Sequence, residues 1–131
     1  MIIDSSALLA IVLNEPERDS FLDAIVSVDR RSMSVANWFE ATMVIDRRGK
    51  PQAVSYFEEF VSRAGIDLVA VTAGQASRAR EAWRIYGRGV HPAKLNYGDC
   101  FAYALAKERE EPLLFKGEDF PKTDIEPALT G

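Results

Sequence analysis

Three stretches of this sequence each carry a single charged side chain, and in each it is a carboxylate. Met1 to Leu13 holds only Asp4, Ser32 to Ile45 only Glu40, and Leu95 to Ala106 only Asp99. Each acid has an ordinary use when read alone. Asp4 or Ser5 can cap a helix. Asp99 falls in the first turn of a helix, where a negative charge meets the positive end of the dipole and is worth roughly 0.3–1 kcal/mol. Glu40 is mid-helix and would need a basic partner from another segment. Together they are harder to place, because enclosing several unpartnered carboxylates costs several kcal/mol each unless they protonate or meet a cation. No basic residue occurs in the same three segments. Convergence on a hard, oxygen-seeking divalent ion, Mg2+ or Mn2+, resolves the conflict. With one His and one Cys, a structural zinc site has too few ligands.

The elements that must position these acids follow from pattern and punctuation. Met1–Ile3 reads as a short buried strand, and Ser5 or Ser6 opens a helix through Leu13. Pro16 suits the first turn of a second helix to about Val28. Arg31–Ser34 is a strand, and Val35–Arg47 a helix closed by Gly49 and Pro51. A helix over Gln52–Arg63 stops at Gly65; Ile66–Val71 is a strand; Ala73–Tyr86 is a helix ending at Gly87. After the loop GRGVHPAKLN a helix runs from Tyr97 to about Lys107. Leu113–Phe115 is the last clear strand, with a possible short one near Ile125. Strands alternating with helices predict an α/β layer fold with a mainly parallel sheet. Sites in such sheets form beyond the carboxyl ends of the strands, and Asp4, Glu118 and Asp119 each follow a strand. On a helical wheel Tyr97, Cys100, Phe101, Ala104 and Leu105 make one apolar stripe, and Val35, Trp38, Phe39, Thr42 and Met43 another. Because the faces opposite are also nearly uncharged, both helices are expected to be enclosed on two sides.

The 131 residues suit one compact domain, and 47% apolar with 27% charged residues describes a globular chain. The apolar run Ala7–Leu13 is too short to span a membrane and lacks the basic flank of a signal peptide, so a cytoplasmic protein is expected. A single Cys excludes an internal disulfide. Net charge is −4, which argues against bulk electrostatic binding to nucleic acid. The distribution matters more than the sum. Arg78, Arg80, Arg84, Arg88 and Lys94 stand against the single acid Glu81, a local basic segment that is either a solvated helix face and loop or a track for a polyanion.

MIIDSSALLAIVLNEPE, then Glu40 within SVANWFEATMVI, then LNYGDCFAYALAKE, then PLLFKGEDFPKTDI resemble, in order and spacing, a PIN-domain ribonuclease toxin of the VapC type. The resemblance runs over nearly the whole chain, as a single PIN domain across residues 1–131. It implies a sheet of about four or five parallel strands flanked by helices. It also implies a Mg2+-dependent endoribonuclease in which Mn2+ can substitute. The implied partners are a cellular RNA substrate and a neutralising VapB-type antitoxin. A homodimer, and a heterotetramer or larger with the antitoxin, is the implied assembly.

Asp4, Glu40 and Asp99 match the family's acidic positions, and Ser6 the small polar residue that supports the first. Where many relatives have an acid or asparagine, three residues before the phenylalanine of the last motif, this chain has Gly117. Glu118 and Asp119 follow it, and Asp119 is the preferred fourth acid. The implied chemistry is phosphodiester hydrolysis, with Asp99 or Asp119 open as the proton acceptor. The basic segment from Arg78 to Lys94, with Lys116, is the candidate for steering the RNA backbone.

Three rivals stand beside this reading. An aspartate-nucleophile phosphatase needs a second acid two residues after the first, where Ser6 stands. A receiver-like Mg2+-binding module needs an acid at the end of a middle strand, where Thr72 follows Val69–Val71. A degenerate PIN domain acting only by interaction would not require the three acids, which are intact.

Overall fold

The computed structural model describes residues 1–129. Four strands, β1 (Ile2–Ile3), β2 (Arg31–Ser34), β3 (Ile66–Val69) and β4 (Leu113–Leu114), form one sheet in the order β3-β2-β1-β4, with every pairing parallel. Six helices connect them: α1 (Ser5–Val12), α2 (Arg18–Val26), α3 (Val35–Arg47), α4 (Pro51–Arg63), α5 (Ala73–Tyr86) and α6 (Tyr97–Arg109). The expected α/β class and strand count hold.

Both central strands are covered on two faces, so Ile2, Ile3, Ser32, Met33 and Ser34 are all buried rather than alternating. Ile3, Met33 and Leu114 point into a layer built from α1 to α4, with Leu8, Ile11, Phe21, Ile25, Ile45 and Phe57. Ile2 and Leu113 point to the other face, against Ala79, Ala82, Ala102 and Leu105 of α5 and α6. Parallel crossovers are right-handed. Stepping from β1 to β2 to β3 therefore stacks helices on one face, and the return to β4 lays α5 and α6 on the other. The direction of the winding reverses between β1 and β4, and the carboxyl ends of the strands there mark the crevice at which sites in such sheets form.

Three differences from the sequence expectation have local causes. The segment near Ile125 forms no strand among the described residues: a 3-10 turn (Phe120–Lys122) intervenes, and an isolated bridge, Leu113 to Pro127, joins it to the sheet. The second helix begins at Arg18, because Pro16 and Glu17 form a turn ahead of it. The expected enclosure of α3 also fails. Asn37, Ala41 and Ile45 are its buried side, whereas Val35, Phe39 (56% exposed), Met43 and Val44 face outward. Apolarity on a wheel does not say which side meets the core. In α6 the enclosure is real from Cys100 through Ala106, with Phe101 only half-buried and Tyr97 79% exposed.

Arg31 ties this frame together. Its guanidinium donates to the carbonyls of Ile25 (2.6 Å), Val28 (2.9 Å) and Ala64 (2.9 Å), capturing the unpaired carbonyl ends that follow α2 and α4. Charged hydrogen bonds to partly buried carbonyls are stronger than neutral ones. Arg31→Met is expected to lower the unfolding free energy by about 2–3 kcal/mol, read as a lower denaturation midpoint with unchanged slope.

Candidate active site

At the carboxyl ends of β1 and β4 the lone acids come near enough for the charges of Asp99 and Glu40 to act on Asp4. Asp4 leaves β1 with its backbone N–H bonded to the Leu114 carbonyl of β4 (2.9 Å), and it becomes the N-cap of α1. Its Oδ2 accepts from the Ser6 N–H (3.0 Å) and the Ser6 hydroxyl (2.6 Å). The same hydroxyl accepts from the Lys116 N–H (2.9 Å), so the loop after β4 is hung on the residue that braces Asp4. Asp4 Oδ1 is buried with no hydrogen-bond partner among the described residues. Asp99 sits at the third position of α6 in a capping box: Asn96 Oδ1 accepts from the Asp99 N–H (2.9 Å), and Asp99 Oδ2 accepts from the Asn96 N–H (3.0 Å). Capping and site membership are therefore compatible, since each cap engages one oxygen of its carboxyl.

Glu40 reaches the crevice from α3, half-buried. Its Oε1 accepts from the Ser5 hydroxyl (2.6 Å), and Asn37 Nδ2 lies 3.5 Å from the same oxygen. Asn37, fully buried, donates from Nδ2 to the Gly98 carbonyl of α6 (2.8 Å). A Cβ on Gly98 would run into the Glu40 carboxyl, so any other residue there would displace that carboxyl. Asp119 is half-buried at the start of the 3-10 turn, where its charge acts on Asp99; Glu118 is exposed. Gly117 occupies the position where an acid or asparagine was expected, at φ +118°, a conformation that residues with a side chain rarely adopt.

The electrostatics follow from enclosure. Asp4, 2% exposed, has its carboxyl pushed up to about 7, first by desolvation and then by Asp99 and Glu40; the Ser6 bonds oppose the shift without overcoming it. Asp99 is pushed up to about 6 by desolvation, with Glu40 and Asp119 adding to it. None of the four acids is ion-paired among the described residues. An orphaned carboxylate oxygen, mutual repulsion and an all-oxygen donor set fit a hard divalent cation. As the side chains stand, no three His, Cys, Asp or Glu groups among the described residues close to metal-holding distance. The fit is therefore one of charge and donor chemistry.

The basic segment lies apart from this crevice's hydrogen bonds. Arg78, Arg80, Arg84, Arg88 and Lys94 are all exposed, on α5 and the loop after it, and form no salt bridge among the described residues. Lys116 behaves differently. Its ammonium lies 3.1 Å from Glu15 and 3.4 Å from Glu17, so its charge is already offset and its structural contribution is the backbone bond to Ser6. His91 Nδ1 accepts from the Ala93 N–H and takes no part in the crevice. Sequence reasoning missed Ser5, Asn37, Asn96 and Gly98. A capping-box spacing from Asn96 to Asp99, and a glycine inside a helical turn, were the available signals.

A PIN-domain family model matches residues 1–126. Ribonuclease VapC30 of Mycobacterium tuberculosis is 49% identical over 125 residues, 95% of each chain. Ribonuclease VapC of Mycolicibacterium smegmatis is 47% identical over 125 residues, 95% of this chain and 97% of its own. Two solved structures share the fold. VapC20 of Mycobacterium tuberculosis, a sarcin-ricin-loop-cleaving toxin, matches at TM-score 0.74 and 14% identity, over 96% of this chain and 98% of its own. A toxin–antitoxin complex from Klebsiella pneumoniae matches at TM-score 0.67 and 17% identity, over 94% and 92%. The chain belongs to the PIN-domain family and, within it, to the VapC ribonucleases, the endoribonuclease toxins of toxin–antitoxin systems. Nucleases of this family generally depend on a divalent metal ion.

Linkage gives the site a stability signature. Between pH 3.8, where an ordinary aspartate ionises, and about 7, the folded protein holds a proton at Asp4 that the unfolded chain has released. Stability from this group is full below that window and is lost as pH rises through it. In EDTA, Asp4→Asn, which keeps an oxygen for the Ser6 cap, should be more stable than the parent at pH 8, by roughly 2 kcal/mol. The advantage should shrink towards pH 4. Denaturant titrations of the two proteins at both pH values check it.

Proposed function

We propose that this protein hydrolyses RNA phosphodiesters at the crevice between β1 and β4, using Asp4, Glu40 and Asp99 to hold Mg2+, for which Mn2+ can substitute. The observation that carries the reading is the enclosure of Asp4, whose orphaned Oδ1 and raised pKa leave an oxygen in need of a cation. Identity of 49% to ribonuclease VapC30 over nearly the whole chain supports the reaction class. When bound, the ion supplies Lewis-acid charge for the phosphate and lowers the pKa of a water.

The chain's own residues supply the rest. Ser6 keeps Asp4 Oδ2 engaged and leaves Oδ1 without a protein partner, and the capping box likewise engages one oxygen of Asp99. Asp119, whose charge acts on Asp99, accepts the proton of the attacking water. Arg78, Arg80, Arg84, Arg88 and Lys94 draw in the RNA backbone by charge, and their contribution is expected to weaken as salt rises.

A VapB-type antitoxin is the partner this reading assigns. The acidic crevice is complementary to a basic side chain brought by such a partner. The exposed apolar face of α3, with Trp83 and Tyr97, is the kind of surface that a homodimer, or a heterotetramer or larger with antitoxin, would cover.

Purified protein incubated with mixed cellular RNA in Mg2+, in Mn2+ and in EDTA tests the central reading. Cleavage should require a divalent ion and should fall about a hundredfold or more in Asp99→Asn, which keeps size and removes charge. Equal cleavage by the two proteins would remove Asp99 from the reaction and leave it a helix-start residue.

A further inference from the structure

Glu40 is the least supported of the acids by its own helix, and the most supported by its neighbours. It sits in the second turn of α3, beyond the reach of the N-terminal dipole that serves Asp4 and Asp99. What fixes it comes from three elements. The Ser5 hydroxyl, on the first residue of α1, donates to Oε1 at 2.6 Å. Asn37, one turn earlier in α3, brings Nδ2 to 3.5 Å from that oxygen while donating to the Gly98 carbonyl at 2.8 Å. Gly98 presents no side chain, and the carboxyl packs directly against its Cα.

Both donors are buried: Ser5 is 8% and Asn37 0% exposed. A buried amide that spans two helices is costly unless its hydrogen bonds are met, and Asn37 Oδ1 has no partner among the described residues. Simple packing at this position would be served by a leucine of similar size without that orphan. The bonds it does make join Gly98, immediately before Asp99, to the carboxyl of Glu40. Ser5 performs the equivalent join from the residue immediately after Asp4. Each donor thus ties Glu40 to the backbone neighbour of another acid.

We propose that Ser5 and Asn37 are positioning residues for the reaction. They hold one oxygen of Glu40 and leave the carboxyl at a set separation from Asp4 and Asp99. This inference rests on the reading that Glu40 belongs to the active site. Neither residue touches substrate; each acts through Glu40.

A double-mutant cycle separates this role from a merely structural tie. Ser5→Ala and Asn37→Leu are each expected to lower kcat for RNA cleavage about tenfold with KM unchanged, and Ser5→Thr to restore most of the loss, since it returns the hydroxyl. In the Glu40→Gln background the two substitutions should cost little further. Calorimetric titration with Mn2+ in the absence of RNA should follow the same pattern, with weaker binding in each single variant and no added loss in the doubles. A structural tie would lower the melting temperature and leave kcat and Mn2+ affinity unmoved, which would overturn the proposal. So would losses that multiply in the Glu40→Gln background.

If Glu40→Gln cleaves RNA as the parent does, the proposal falls, while cleavage lost in Asp99→Asn keeps the ribonuclease reading. Absence of cleavage by the parent protein fails that reading instead, and the Mn2+ titration then decides the positioning role.

Discussion

Enclosing a carboxylate at the end of the first strand is the constraint around which the rest of this molecule is arranged. Asp4 follows a fully buried strand and is itself almost wholly shielded from water, so its charge is opposed by the same burial that stabilises Ile2 and Ile3. Water is replaced on one oxygen only, by the N–H and hydroxyl of Ser6. Among the described residues, no cation compensates the second oxygen or the neighbouring acids. Asp4 and Asp99 are therefore held partly protonated near neutral pH, Asp4 the more so. The site's unfavourable electrostatics are borne by the two apolar layers on either side of the sheet.

Topology then decides which acids share the crevice. The strand order reverses between β1 and β4, which sets the residue after β1 beside the loop after β4, more than 100 positions away in the chain. Asp4 and Asp99 each stand at a helix N-terminus, whose dipole favours the ionised carboxyl, though desolvation outweighs it at both. Glu40 has no such terminus and depends on Ser5, Asn37 and the bare Cα of Gly98. The Ser6 hydroxyl couples the site's two halves, giving a hydrogen bond to Asp4 and receiving one from the backbone of Lys116.

Much of the local structure was legible because it is local. The limits of β2, α3 and α5 coincide with those read from apolar runs, caps and glycines, since these signals act within a few residues. The three acids were legible because an unpaired charge in an apolar segment is costly wherever the segment ends up. The orientation of α3 was not legible. Its stripe of Val35, Phe39 and Met43 looks like a core face, yet Asn37, Ala41 and Ile45 turn inward, because which side of a helix meets the core is set by its tertiary neighbours and not by its own periodicity. Lys116 looked like a free cation, and only the fold brings Glu15 and Glu17 against it.

The sequence by itself determined the element order, the parallel α/β class and the identity of the three lone acids, because periodicity, capping and the cost of a lone charge are properties of short segments. Tertiary structure decided which groups meet: Ser5 and Asn37 on Glu40, and Ser6 between Asp4 and Lys116. Those pairings depend on strand order and helix rotation, which are settled by the packing of the whole chain and by no short segment of it.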